Sequence, residues 1–154
     1  MYERILIPTD GSEVAEAAIE QAVDLAEKYD AELHALYVVD TDAVAYSLGT
    51  EQVDRLRQGK LEEIAEIKSK AEAATSFVRD RGEARGLDVV ERHVGGRPHE
   101  LIAEYAADND VDLIVMGSHG RSGVRRALLG SVTERTLRST HTPVLVVDYR
   151  DTEE

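Results

Sequence analysis

The residues from Asp112 to Thr133 constrain the fold more strongly than any other part of the sequence. The stretch opens with a continuous apolar run, Leu113–Met116, which is typical of a strand buried on both faces in a parallel sheet covered by helices. Three glycines follow within seven residues: Gly117, Gly120 and Gly123. Because glycine has no side chain, such a loop can adopt positive φ angles and lie close against a ligand. The stretch therefore predicts a buried strand that leads directly into a binding loop.

A helical pattern begins after Gly130 with Ser131, Val132 and Thr133. The first turn of a helix has unpaired N–H groups and a partial positive charge, which favour an anion. A strand, a glycine loop and a helix start in this order predict a phosphate-binding site. The loop also contains three arginines: Arg121, Arg125 and Arg126. They either neutralise phosphate charge or solvate the loop, and we do not assign them to the site.

The rest of the chain alternates predicted strands and helices. Apolar runs predict further strands at Arg4–Ile7, Leu33–Val39, Leu87–Val94 and Val144–Val147. Helical spacing predicts helices over residues 15–29, 51–82, 98–106 and 131–141. Within the second helix, Gly59 is predicted to bend or interrupt the helix, and Gly82 and Gly86 to end it. A turn is predicted at Gly95 and Gly96, and a polar loop at Asp40–Thr50. Strands that alternate with helices long enough for right-handed crossovers imply a parallel, doubly wound sheet.

Four segments carry a resemblance to a known family. The loop has Gly117, two residues, Gly120, nine residues, Gly130 and then Ser131. This spacing resembles the phosphate loop of the ATP-binding branch of the universal stress protein family. Three other segments match that family in the same order: Ile5–Ser12, Gly96–Pro98 and Pro143–Val147. The resemblance covers nearly the whole chain and implies one domain, residues 1–148, followed by a charged tail, residues 149–154.

The resemblance implies a three-layer, Rossmann-like α/β fold of the adenine nucleotide alpha hydrolase type. Its open parallel sheet is expected to have five strands in the order 3-2-1-4-5. In such a sheet a ligand binds beyond the carboxyl ends of the strands where the order reverses, here between the first and fourth strands. The expected ligand is ATP with Mg²⁺. By resemblance, the expected site residues are Pro8, Thr9, Asp10, Val38, Met116, Gly117, Ser118, His119, Gly120, Gly130, Ser131, Val132 and Thr133.

The chemistry of these residues suggests a role for each group. Backbone N–H groups of the loop and of the helix start suit phosphates, and the hydroxyls of Ser131 and Thr133 can add donors. Asp10 repels phosphate, so it is expected to accept hydrogen bonds from ribose or the adenine amine, or to reach Mg²⁺. Val38 and Met116 offer an apolar wall to adenine. His119 is interpreted as a ligand contact, the alternative being a loop histidine that faces water.

The net charge of the chain limits the kinds of partner and environment that we expect. The 154 residues include 31 acidic and 18 basic side chains, a formal net charge of −13, which argues against binding to nucleic acid. The cations include few lysines: Lys28, Lys60, Lys68 and Lys70. Such a surface suggests a high-salt cytoplasm in which repulsion is screened, although many cytoplasmic proteins are simply acidic.

Other sequence features bear on location and covalent chemistry. The chain has no cysteine, which excludes disulfides and thiolate catalysis. No apolar run approaches the length of a membrane span, and no signal-peptide pattern is present at the N-terminus. A cytoplasmic location without membrane contact is therefore the expectation.

The expected function is ATP binding by a small regulatory or stress-response module. We identify no nucleophile paired with a general base and no protein metal site, because Asp10 and His119 are explained as binding groups. A triad of Ser118, His119 and Asp10 is disfavoured, since the first two are adjacent and no Gly-x-Ser-x-Gly elbow is present. Two alternatives stay open: a slow ATP or nucleotide hydrolase of the same fold, and a nucleotide-free dimeric interaction protein.

A homodimer is expected through the last strand. Its residues Val144, Leu145, Val146 and Val147 are apolar without alternation. In the order 3-2-1-4-5 this strand lies at the edge of the sheet, where an unpaired apolar strand favours association. Pairing of two copies would satisfy both edges with two-fold symmetry.

Overall fold

The computed structural model describes residues 1–41, 53–119 and 129–148. In chain order its elements are β1 (Arg4–Pro8), α1 (Glu13–Tyr29), β2 (Glu32–Asp40), α2 (Val53–Glu83), β3 (Val89–Gly96), α3 (Pro98–Asp108), β4 (Leu113–Gly117), α4 (Ser131–Ser139) and β5 (Val144–Val147). Across the described ranges, no helix has the length and apolar character that crossing a membrane requires.

The strands form one parallel five-stranded sheet in the order β3-β2-β1-β4-β5. The predicted strand order and doubly wound α/β class are therefore confirmed. β1 lies at the centre, where Ile5 is in register with Leu33 of β2 on one side and with Leu113 of β4 on the other. The chain moves outward from β1 in two directions, so the strand order reverses between β1 and β4.

Two apolar cores cover the two faces of the sheet. Side chains alternate across a strand, so Ile5 and Ile7 of β1 face one side and Leu6 faces the other. Ile5 and Ile7 pack in a cluster with Ile19 of α1, whereas Leu6 packs in a cluster with Ile102 of α3. The apolar runs of the sequence are thus explained by burial on both faces.

Helix α1 begins at a well-defined cap. Ser12 has extended backbone angles, and its side chain accepts a hydrogen bond from the N–H of Ala15, which satisfies one unpaired donor of the first turn. Helix α1 ends at Asp30, which adopts the left-handed conformation with φ 53°. Together these caps fix where the chain leaves β1 and where it re-enters the sheet at β2.

Helix α2 differs from its sequence-based prediction at two glycines, Gly59 and Gly82. The helix runs through Gly59 without interruption and continues past Gly82 to Glu83. A Cβ at Gly82 would lie 2.5 Å from Cγ2 of Val89 and 3.1 Å from Cδ1 of Leu33. Gly82 therefore allows the helix to approach the sheet closely, and it does not end the helix. The reversal occurs at Gly86, whose φ is +73°.

The limits of β3 also differ from the prediction. Leu87 lies in the turn before the strand, which begins at Val89. Gly95 and Gly96 continue the strand in register with Val39 and Asp40 of β2, although they were predicted to turn the chain. Pairing with the neighbouring strand outweighs the weak strand preference of glycine here. The predicted loop that follows Asp40 lies at residues 42–52, outside the described residues.

A chain of polar side chains ties α3 to β2. His34 is buried, with its Nδ1 atom 2.6 Å from the Tyr105 hydroxyl and its Nε2 atom 2.6 Å from Oε1 of Glu32. Because a carboxylate only accepts, Nε2–H donates to Glu32, and Nδ1 shares a hydrogen bond with the Tyr105 hydroxyl. Burial raises the pKa of Tyr105, which keeps its hydroxyl protonated.

Replacing Tyr105 with phenylalanine is expected to destabilise the fold by about 1–3 kcal/mol, because it leaves Nδ1 of buried His34 without its partner. Urea unfolding followed by circular dichroism measures this loss. Tyr29→Phe is the matched control, since Tyr29 is exposed. Equal unfolding midpoints for Tyr105→Phe and Tyr29→Phe would contradict the prediction.

Candidate functional site

The candidate site lies at the carboxyl edge of the sheet, where β1 and β4 end side by side. β1 ends at Pro8, and β4 ends at Gly117. The residues that follow the two strands are Thr9 and Asp10 on one side and Ser118 and His119 on the other. The structure therefore brings two predicted groups of site residues to the reversal point of the sheet, which is the common ligand position in this architecture.

The turn after β1 is held by its own hydrogen bonds. Thr9 is buried, and its N–H donates to the Leu36 carbonyl at 3.0 Å, while its hydroxyl accepts from the Gly11 N–H at 3.2 Å. Oδ1 of Asp10 accepts from the Ser12 N–H at 2.9 Å. Gly11 has φ 78°, so the turn needs a residue that tolerates the left-handed region. The Asp10 carboxylate is thus anchored beside the start of α1.

Apolar residues of the predicted adenine wall meet on the α3 face of the sheet. Met116 is a buried member of the apolar cluster on that face. Val38 and Val132 pack against the same cluster, as does Val94, which is in register with Val38 across β2 and β3. Val94 was not among the predicted site residues. Its position beside Val38 becomes visible only from the strand register.

Gly117 and Gly130 are glycines for a different reason from the one predicted. A Cβ at Gly117 would lie 2.6 Å from Cγ1 of Val14 and 3.3 Å from the Val14 carbonyl, at the first turn of α1. A Cβ at Gly130 would lie 3.0 Å from Cα of His119. Gly130 has φ −61°, and Gly117 is not among the residues with positive φ. Both positions require close packing and not a left-handed backbone.

The loop between these glycines is only partly described. Residues 120–128 lie outside the described residues, and they include Gly120, Gly123, Arg121, Arg125 and Arg126. The two ends of the loop nevertheless meet directly, because the Gly130 N–H donates to the Ser118 carbonyl at 2.7 Å. This bond places the start of α4 against the end of β4.

The start of α4 leaves N–H groups available. Its N-cap is Gly130, and among the residues that the structure describes no side chain caps this helix end. The Gly130 carbonyl accepts from the Glu134 N–H at 2.9 Å, so the N–H groups of Ser131, Val132 and Thr133 precede the first hydrogen bond of the helix. Such a terminus carries a partial positive charge.

The hydroxyls of the first turn differ in their surroundings. Thr133 is buried, and its hydroxyl donates to the Gly117 carbonyl at 2.9 Å. The proton of that hydroxyl is therefore used within the fold, contrary to the expectation that it would serve as a donor to a ligand. Ser131 is exposed at the tip of the helix, where its hydroxyl can reach an anion.

Ser118 connects the site to the last strand. Its N–H donates to the Val147 carbonyl at 2.8 Å, and its hydroxyl donates to Oδ1 of Asp148 at 2.9 Å. Nδ1 of His119 lies 3.1 Å from the same hydroxyl. In a hydrolytic triad the imidazole stands between the carboxylate and the hydroxyl. Here the carboxylate accepts from the serine itself, so the arrangement is not that of a triad.

Asp148 is a residue near the site that sequence reasoning missed, because it was assigned no role at the end of the domain, directly before the charged tail. The register between β4 and β5 would have predicted its position. Gly117 is in register with Val147, so the residues that follow them, Ser118 and Asp148, had to be neighbours. Within the described ranges, no three histidine, aspartate or glutamate side chains converge closely enough to hold a metal ion.

Comparisons with known proteins agree with this architecture. Residues 1–148 match the model of the universal stress protein family. Universal stress protein MJ0531 of Methanocaldococcus jannaschii is 38% identical over 148 residues, which cover 96% of this chain and 82% of that protein. Universal stress protein MJ0577 of the same organism is 35% identical, and the match covers 98% of both chains.

Solved structures agree with the sequence matches. The structure of MJ0577 superimposes with a TM-score of 0.77 over 99% of both chains. A universal stress protein solved in complex with cAMP is 27% identical, with a TM-score of 0.65 over 96% of this chain and 97% of that one. The strand order, the glycine-capped helix at the reversal point and the whole-length matches lead to one conclusion: this chain belongs to the universal stress protein family.

Proposed function

We propose that this protein binds ATP at the carboxyl edge between β1 and β4 and acts as a small regulatory or stress-response module. The observation that carries the proposal is the start of α4, a helix terminus that no described side chain caps and that lies against the end of β4. Its N–H groups and partial positive charge suit phosphate. The cAMP complex of a protein with the same fold supports an adenine nucleotide as the ligand.

The phosphates are assigned to the α4 side of the site. Backbone N–H groups of Ser131, Val132 and Thr133 lie at the helix start, and the Ser131 hydroxyl is exposed beside them. His119 and Gly120 are assigned to the same side through their place in the loop. Mg²⁺ keeps several waters and binds largely through phosphate oxygens, so a dedicated cluster of protein carboxylates is not required.

The nucleoside is assigned to the β1 and β2 side. Val38 and Met116 supply apolar surface at the cluster that faces α3. Pro8 and Thr9 shape the adjoining turn, and Asp10 presents a carboxylate that can accept hydrogen bonds from ribose hydroxyls or from the adenine amine. The apolar and anionic parts of ATP thus match opposite sides of the site.

Identification of the bound nucleotide tests this function. Protein purified under native conditions is denatured with acid, and the released ligand is separated by chromatography; calorimetry then compares ATP, cAMP, AMP and adenosine. ATP is expected to be released or to bind more tightly than adenosine. If no nucleotide is released and none binds, the protein belongs to the nucleotide-free alternative.

Fast hydrolysis is not part of this proposal. Asp10 accepts from the Ser12 N–H, and His119 contacts Ser118, and we assign both side chains binding roles and not that of a general base. Activity is expected to be weak at most. Rapid Mg²⁺-dependent turnover that is abolished by a single substitution at Gly130 would contradict this expectation and show that the protein is a nucleotide hydrolase.

We place the protein in the cytoplasm as a homodimer joined through β5. β5 lies at the edge of the sheet, and three of its four residues, Val144, Leu145 and Val146, are only partly buried in the single chain. A second copy would cover them and pair the free edge. The net charge of −13 further suggests an environment with high salt.

Replacing Asp10 with alanine is expected to weaken ATP and adenosine alike, by roughly tenfold, if the carboxylate holds the nucleoside. If it acts only through the metal, ATP with Mg²⁺ weakens and adenosine does not change. Asp10→Asn is the matched control, because its amide oxygen can still accept from the Ser12 N–H and keep the turn. Calorimetry with and without Mg²⁺ separates these cases, and unchanged binding of both ligands would remove Asp10 from the site.

A further inference from the structure

Ser118 lies where the glycine loop follows β4, and its N–H, hydroxyl and carbonyl groups each form a hydrogen bond within the fold. Its N–H donates to the Val147 carbonyl at 2.8 Å, and its hydroxyl donates to Oδ1 of Asp148 at 2.9 Å. Its carbonyl accepts from the Gly130 N–H at 2.7 Å. Ser118 is thus the common point between the end of β5 and the start of α4.

The environments of the two side chains differ in a way that favours this bond. Ser118 is only 7% exposed, so its hydroxyl has little access to water and depends on protein partners, which are Oδ1 of Asp148 and Nδ1 of His119. Asp148 is exposed, so its carboxylate stays in contact with water while it accepts the bond. A hydrogen bond to an ionised acceptor is stronger than one between neutral groups.

We propose that Asp148 is a positioning residue for the phosphate side of the nucleotide site, acting through Ser118. The inference rests on the proposed function. By holding the Ser118 hydroxyl, Asp148 holds the peptide whose carbonyl orients Gly130, the N-cap of α4. Asp148 touches no phosphate itself, and its negative charge makes direct contact unfavourable.

The pathway from Asp148 to the ligand is short. It runs from the carboxylate to the Ser118 hydroxyl, along one residue to the Ser118 carbonyl, and across one hydrogen bond to Gly130. A second hydrogen bond between α4 and the end of β4 joins the Thr133 hydroxyl to the Gly117 carbonyl at 2.9 Å. Loss of the Asp148 contact is therefore expected to weaken the packing of the start of α4 against the end of β4, which positions the N–H donors for phosphate. The nucleoside side near Asp10 is expected to be unaffected.

Four variants test the proposal: Asp148→Ala, Asp148→Asn, Ser118→Ala and the double variant of Ser118→Ala with Asp148→Ala. Asp148→Ala is expected to weaken ATP by roughly fivefold or more, the size of one lost hydrogen bond, and adenosine by less than twofold. Asn keeps an acceptor oxygen, so Asp148→Asn is expected to restore most of the ATP affinity. The double variant is expected to be no weaker than Ser118→Ala alone, because both changes remove the same bond.

Hydrogen exchange without nucleotide provides an independent readout. In the Asp148→Ala protein, the amides of residues 117–119 and 130–133 are expected to exchange faster, whereas those at the β1 turn remain unchanged. Asp88→Ala is the matched control, since Asp88 is an exposed aspartate directly before β3, at the other end of the strands. This control removes one negative charge at a distance from the site.

The outcomes separate this inference from the proposed function. If the wild-type protein binds ATP but Asp148→Ala lowers ATP and adenosine affinity equally, or lowers neither, the positioning role is wrong. Tighter ATP binding by Asp148→Asn and Asp148→Ala alike would show that the charge of Asp148 repels the ligand, and would also overturn the proposal. If the wild-type protein binds no nucleotide, the proposed function fails, and accelerated exchange at residues 117–119 and 130–133 still decides whether Asp148 orders this region.

Discussion

Replacing Gly130 with valine is expected to lower the affinity for ATP by about a hundredfold, the equivalent of losing one or two hydrogen bonds to a charged ligand. A Cβ at this position would lie 3.0 Å from Cα of His119 and 3.5 Å from the Ser118 carbonyl. The two additional methyl groups of valine would force the start of α4 away from the end of β4. Adenosine should bind nearly as in the wild type, because its expected contacts lie on the β1 and β2 side.

Calorimetry with ATP and adenosine measures this effect. Gly95→Val is the matched control: it lies at the carboxyl end of edge strand β3, where a Cβ would meet Cγ2 of Thr41 at an ordinary 3.4 Å. The control is expected to keep its ATP affinity, and Gly130→Ala is expected to fall between wild type and Gly130→Val. Unchanged ATP binding by a folded Gly130→Val protein would remove the start of α4 from the site.

Replacing Val146 with lysine is expected to convert the proposed dimer to a monomer at micromolar concentrations. Val146 lies in the edge strand and is only partly buried in the single chain. A charge placed in a seam of two apolar strands loses its hydration without gaining a partner there. The same residue can face water in a monomer, so the fold is expected to persist.

Sedimentation velocity in high salt measures the assembly, and circular dichroism checks the fold. Val90→Lys is the matched control, because Val90 is a partly buried valine in β3, the edge strand on the opposite side of the sheet. It is expected to leave the dimer intact. A wild-type protein that stays monomeric at high concentration would contradict the β5 interface, and dissociation by Val90→Lys alone would place the interface at β3.

The sequence predicted the fold class well because burial on both faces of a parallel sheet leaves a strong local signal. The runs in β1 and β4 have no polar interruption, since both of their faces are covered. Helix α1 likewise carries its start signal at Ser12. These features depend on residues close together in the chain, so they can be read without knowing the fold.

Details that depend on contacts between distant residues were predicted less well. Gly82 was read as a helix end because glycine has a low helix propensity, but the proximity of Val89 and Leu33 decides its role. Gly95 and Gly96 were read as a turn, although pairing with β2 keeps them in the strand. In each case a tertiary contact outweighed the local preference of glycine.

The same division applies to the candidate site. The sequence by itself determined that a glycine loop joins a buried strand to a helix start, because residue types and their spacing carry that information. Only the tertiary structure decided that Gly117 and Gly130 serve close packing, that the Thr133 hydroxyl is used within the fold, and that Asp148 holds Ser118. These roles arise from pairs of atoms that strand register and helix packing bring within 4 Å, and such distances are not encoded in the order of residues along the loop.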